Sequence, residues 1–148
     1  MKLLERIQED LKRSLKAKDG TRVSVLRFLL ASIRNREIDN MASLDEDQVL
    51  QEITSAAKRR RESIDAFREG GRQDLVDKEE AELAILSEYM PEQLSEDDIR
   101  SLVRQVISAT GATSSADLGA VMKEVMPKVR GQADGKLVNQ IVRELLSV

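Results

Sequence analysis

Apolar residues recur at steps of three and four along most of the chain, which is the period of an α-helix. Strand-like alternation is sustained nowhere. Leu3, Ile7, Leu11 and Leu15 form a first stripe that stops near Asp19-Gly20. Val25, Leu26, Leu29, Leu30 and Ile33 form a denser one, as expected of a helix buried on more than one side. Ser43-Leu44-Asp45-Glu46 has capping-box spacing and opens a long third helix with Val49, Leu50, Ile53, Ala57, Ile64 and Phe67. Gly70-Gly71 ends it, because glycine readily takes the left-handed conformation. A fourth helix is predicted from about Asp74 to Met90, burying Leu75, Val76, Leu83 and Leu86, with Pro91 as its stop. Ser95 begins a fifth, carrying Ile99, Leu102, Val103, Val106 and Ile107 as far as Gly111. Ser115 caps a sixth, with Leu118, Val121, Met122 and Val125, which Pro127 breaks. Asp134 caps a seventh, with Leu137, Val138, Ile141, Val142 and Leu145. The pattern predicts an all-α protein. A four-helix N-terminal lobe (1–92) precedes a small three-helix C-terminal lobe (93–148), with the boundary near Pro91-Glu92-Gln93-Leu94.

Composition narrows the chemistry. A chain of 148 residues buries about 70% of its unfolded surface without needing metals or disulfides. The absence of Cys excludes disulfides, thiol catalysis and thiolate zinc sites, and the absence of His removes the usual general base. The charge balance is 24 basic against 27 acidic groups, net −3, so any contact with nucleic acid must be a local patch. Two Phe, one Tyr and no Trp disfavour an extended base-stacking platform. Charged residues interrupt the first thirteen positions, and no run approaches the length of a membrane span. These features lead us to expect a soluble, cytoplasmic protein with no membrane partner, and a monomer by default.

Four features could carry chemistry. Lys58-Arg59-Arg60-Arg61, followed by Arg68 and Arg72, places Lys58, Arg61 and Arg68 within one quadrant of a helix. Glu62 and Asp65 share that side, and an Arg61–Asp65 pair would make it a solvated, salt-bridged face. The segment Met126 to Lys136 holds two glycines and leads straight into the last helix, with Lys128, Arg130 and Lys136 around it and Lys123 one turn upstream. Free N–H groups at a helix start attract phosphate, although Asp134 there would repel it. The acidic groups Glu79-Glu80-Glu82 and Glu96-Asp97-Asp98 read as structural, the second opposing a helix dipole. Met122 and Met126 read as packing, while Gly119 inside a helix suggests a close approach by another backbone. No phosphate loop, dinucleotide fingerprint or nucleophile elbow occurs, so no catalytic residue, metal ligand or cofactor is assigned.

Several strings combine into a specific resemblance: KRRRESIDAF (58–67), GGRQDLV (70–76), KEEAELAILSEYMPEQL (78–94) and GAVMKEVMPKVRGQADGKLV (119–138). Together they resemble the YqeY family, small proteins of the GatB/YqeY superfamily, over essentially the whole chain. The resemblance implies a helical N-terminal lobe, a three-helix C-terminal lobe, and kinship with the tail of the tRNA-dependent amidotransferase B subunit, which helps to hold tRNA. Gly119, Met122, Gly131, Ala133, Asp134 and Leu137 match that tail motif. The resulting expectation is a non-catalytic tRNA-binding accessory protein. Its candidate contacts are Lys123, Lys128, Arg130, Gly131, Gly135 and Lys136, with Lys58, Arg61, Arg68 and Arg72 as a secondary patch. Two alternatives are a protein-interaction module of the translation machinery and a component of glutamine-dependent tRNA amidation acting with other subunits.

Overall fold

The structure is a computed structural model and describes residues 1–147. The protein is all-α, and no strand occurs among the described residues. It divides into two compact units, Met1–Met90 and Pro91–Val148. Among the described residues, no helix is long and apolar enough to cross a membrane.

The first unit holds α1 (Leu3–Lys16), α2 (Gly20–Asn40), α3 (Glu46–Glu69) and α4 (Gln73–Ser87). The turns at Ala17–Asp19 and Gly70–Arg72 join them as two helical hairpins. Asp19 caps α2 by accepting from Arg22 N at 3.1 Å, and Gly71, at φ +71°, turns the chain after α3. The α3 start differs from the expected one: the cap is Asp45, not Ser43. Asp45 accepts from Gln48 N at 2.8 Å, while Gln48 Oε1 accepts from Asp45 N at 3.0 Å. Leu44, one position earlier, packs into the core that holds Val49. That apolar contact fixes where the chain enters the helix, and it selects the carboxylate two residues after Ser43.

The core of this unit is Ile7 from α1; Val25, Leu26, Leu29 and Ile33 from α2; Val49, Ile53 and Ala57 from α3; and Ile85, Leu86 and Tyr89. Each large aliphatic side chain buried in this way contributes about 1.5–3 kcal/mol. α4 ends at Ser87, short of the expected Met90, but the residues just beyond it still pack on the core: Tyr89 is 3% exposed and Met90 lies against the same cluster. Arg22 pairs with Glu88, its Nη2 donating to Oε1 at 3.1 Å. The hydrogen bond from Arg22 holds the Glu88 carboxyl below the usual glutamate range.

The second unit holds α5 (Glu96–Thr110), a single turn of 3₁₀ helix (Ser115–Asp117), α6 (Leu118–Val129) and α7 (Gly135–Leu146). Ser95 caps α5, accepting from Asp98 N at 3.1 Å, and Gly111 ends it at φ +71°. The expected cap at Ser115 gives way to that 3₁₀ turn. Asp117 accepts from the N–H groups of Thr113 and Ser114 at 2.9 and 3.2 Å, which lowers its pKa. The core is Ile99, Val103 and Val106 against Val121, Val125 and Val129, closed by Val138, Ile141, Val142 and Leu146.

Two expectations fail in α6. Pro127 does not break it: the helix runs on to Val129. Val129 is fully buried and continues the stripe of Val121 and Val125, so packing of the last turn outweighs the backbone hydrogen bond that proline removes. Gly119 is exposed, and a Cβ built there meets nothing within 4 Å, so no backbone approaches it among the described residues. Met122 and Met126 pack against the core, as their spacing predicts.

Candidate nucleic-acid interface at the turn between the last two helices

The turn from Arg130 to Asp134 is built on Gly131, which takes φ +76° and is buried. A side chain at that φ would strain the backbone. The turn is tied to the segment before α5 by three bonds. Gln93 Nε2 donates to Gly131 O at 2.8 Å, Leu94 N donates to Gln132 O at 2.8 Å, and Gln132 Nε2 donates to Glu92 O at 3.4 Å. The carbonyls of Gly131 and Gln132 are thus taken up by the segment before α5.

The predicted cations occupy the flanks of this turn. Lys128 lies in the last turn of α6, Arg130 directly follows that helix, and Lys136 is the second residue of α7; all three are exposed. None forms an ion pair among the described residues, and the same holds for Lys123. Lys123 stands apart from the group, because five residues of helix rotate it by about 140° from Lys128. Gly131, being buried, serves the turn, and Gly135 is half-buried at the first position of α7. The helix start is partly satisfied from within: Asp134 accepts from Lys136 N at 3.3 Å. Arg143 was not among the expected contacts. It lies two turns after Lys136 on the exposed face of α7, its Nε donating to Asn139 Oδ1 at 2.7 Å. The seven-residue spacing was the signal that could have found it.

The secondary patch is largely consumed by carboxylates. Arg68 Nη2 donates to Glu80 at 3.1 Å. Arg72 forks onto Asp74 through bonds of 3.2 and 3.1 Å, which lowers the Asp74 pKa. The expected Arg61–Asp65 pair does not form among the described residues. Arg61 is half-buried, and its Nε is buried without a partner there. Lys58 is exposed and outside the described ion pairs. Sequence reasoning gave Arg60 no role, yet it anchors the α3–α4 contact. Its Nη1 donates to Glu79 Oε2 at 3.1 Å and also bonds the buried Glu82.

The Yqey-like protein family model matches residues 4–146, nearly the full chain. The chain belongs to this family. Curated relatives of this Yqey-like chain carry the name altered inheritance of mitochondria protein 41, mitochondrial. The one from Eremothecium gossypii is 42% identical over 88 residues, 59% of this chain and 48% of its own length. That from Pyrenophora tritici-repentis is 29% identical over 147 residues, 97% of this chain and 81% of its own length. One from Saccharomyces cerevisiae is 32% identical over 127 residues, covering 83% and 68%. The Yqey-like chain thus spans about half the length of the first of these relatives.

Those names correct the expectation of a cytoplasmic protein, because the relatives are mitochondrial by name. The expectation rested on the lack of an apolar leader. A mitochondrial address is amphipathic and basic rather than apolar, so that lack never bore on it.

Proposed function

We propose that this Yqey-like chain is a non-catalytic tRNA-binding accessory protein, and that Lys128, Arg130 and Lys136 around the α6–α7 turn make the contact. One observation carries the reading. Those cations are exposed, free of ion pairs among the described residues and gathered on the two flanks of one turn whose backbone is fixed by the buried Gly131, whereas in the secondary patch the free Lys58 and Arg59 stand beside Arg60, Arg68 and Arg72, which are committed to carboxylates. An uncommitted ammonium or guanidinium gives up no partner when it meets a phosphate. Lys128 and Lys136 act as point charges, and Arg130 offers a fork that matches two phosphate oxygens. With their backbone fixed by the buried Gly131 turn, these groups meet RNA without ordering a loop first. They would read backbone shape rather than bases.

The experiment is tRNA binding by the full chain against a Lys128/Arg130/Lys136→Ala variant. All three side chains are exposed, so the variant should melt like the wild type. Loss of three phosphate contacts should weaken binding by about tenfold or more at moderate salt. Equal affinity overturns the reading. The protein-interaction alternative draws on Ile38 and Met41, which are 65% and 93% exposed beside the end of α2. It gains ground where a translation protein stays bound after nuclease digestion and is released by Ile38→Asp.

A further inference from the structure

Helices α2, α3 and α4 enclose a cleft of about 390 Å³ within the N-terminal unit, whereas the basic turn belongs to the C-terminal unit. The cleft exists because small side chains, Ser24, Ala56 and Ser63, line it where large apolar ones would otherwise fill the space. Three kinds of group face it. Phe28 stands in its wall at 57% exposure, the most exposed aromatic ring of the chain. Arg59 is exposed and forms no ion pair among the described residues. Next to Arg59 on α3, Arg60 is held by both Glu79 and the buried Glu82 of α4.

That last group is unbalanced only when taken alone. Two carboxylates share the Arg60 guanidinium, and the charge that balances the second of them is the unpaired Arg59 of the same cleft. Arg60 reaches Glu79 through Oε2, and Glu79 Oε1 accepts no hydrogen bond among the described residues. The cleft therefore offers a ring face, a free cation and a free carboxylate oxygen. Its volume falls in the range of small-ligand sites. A planar ring would stack on Phe28, an anionic group would pair with Arg59, and a ring-borne N–H₂ would donate to Glu79.

We infer that this cleft binds a nucleotide whose base carries an exocyclic amine, with the base on Phe28, the phosphate on Arg59 and the amine on Glu79. The same chemistry comes from a free nucleoside monophosphate and from one unit of a single-stranded RNA. The comparison is cytosine against uracil. At position 4 an amine that donates is replaced by a carbonyl that a carboxylate repels, and at N3 an acceptor is replaced by an N–H donor, so the Glu79→Gln variant is the control that ties a difference to the carboxylate.

The test is calorimetric titration of the full chain with CMP, UMP and inorganic phosphate. CMP should bind saturably, and UMP should bind about fivefold or more weakly, a difference that Glu79→Gln abolishes. Phe28→Ala and Arg59→Gln should each weaken CMP by about tenfold while leaving the melting curve in place, since both side chains are exposed. The Lys128/Arg130/Lys136→Ala variant should bind CMP like the wild type, which separates this site from the turn. A cytidine trinucleotide that binds more tightly than CMP assigns the site to an RNA strand, and equal affinity assigns it to the free nucleotide. The inference is overturned by no saturable heat up to about 10 mM CMP, a very weak limit. It is equally overturned by phosphate binding as well as CMP, or by binding that Phe28→Ala leaves untouched.

Discussion

Tyr89 reports on its own surroundings more directly than any other residue. It is the single tyrosine in a chain without tryptophan, and it is buried beneath the α1–α2 hairpin core. Its hydroxyl donates to Asp10 Oδ2 at 2.5 Å, and the Arg6 guanidinium lies 4.7 Å from the ring centre. Burial first, and the Asp10 carboxylate second, push the phenol above its ordinary value of 10.0. A raised folded value favours the protonated phenol, so its stabilisation is complete below the unfolded value and is lost as pH rises through the folded one. Tyrosinate absorbance should therefore appear only well above the ordinary value and together with loss of helical signal; Asp10→Asn should bring it lower. Ordinary titration in an intact fold would contradict this. At Arg60 the prediction concerns stability. Arg60→Met strands two carboxylates against α3, one of them only 8% exposed, and should cost about 2–3 kcal/mol in urea unfolding. A cost near zero would mean that the Arg60 contacts contribute nothing.

The helices themselves were legible because their signals are local. Stripe spacing, Asp134, Ser95 and the glycines at 70, 71 and 111 all act within one or two turns, and the structure follows them. The exceptions have longer reach. Ser43 and Asp45 both suit an N-cap, and the packing of the half-buried Leu44 against the core decides between them. Pro127 stays in α6 because Val129 is buried, a tertiary fact that no local rule contains. Both carry predictions. Asp45→Ala should destabilise by about 1 kcal/mol, the usual worth of an N-cap. Pro127→Ala should raise stability by about 1 kcal/mol, since it restores a backbone donor within a helix that already forms. Destabilisation by the second change would show that proline rigidity outweighs the lost bond.

For the whole molecule, the residues at the α6–α7 turn were legible as a run of cations around glycines, although the burial of Gly131 was not. The cleft in the N-terminal unit was invisible in the sequence, because Phe28, Arg59 and Glu79 come from three helices and share no spacing. The same reason hid the fate of the secondary basic patch. Arg68 meets Glu80 across a turn, whereas the pairing expected from spacing alone was Arg61 with Asp65. A chain of net charge −3 can bind a polyanion only where its cations are uncommitted, so the ionic-strength dependence of tRNA binding isolates the central claim. With three or four phosphate contacts, log affinity against log salt should fall with a slope of about −2 to −3, and the Lys128/Arg130/Lys136→Ala variant should flatten it by about 2. A wild-type slope near zero, or the same slope in the variant, would contradict the account.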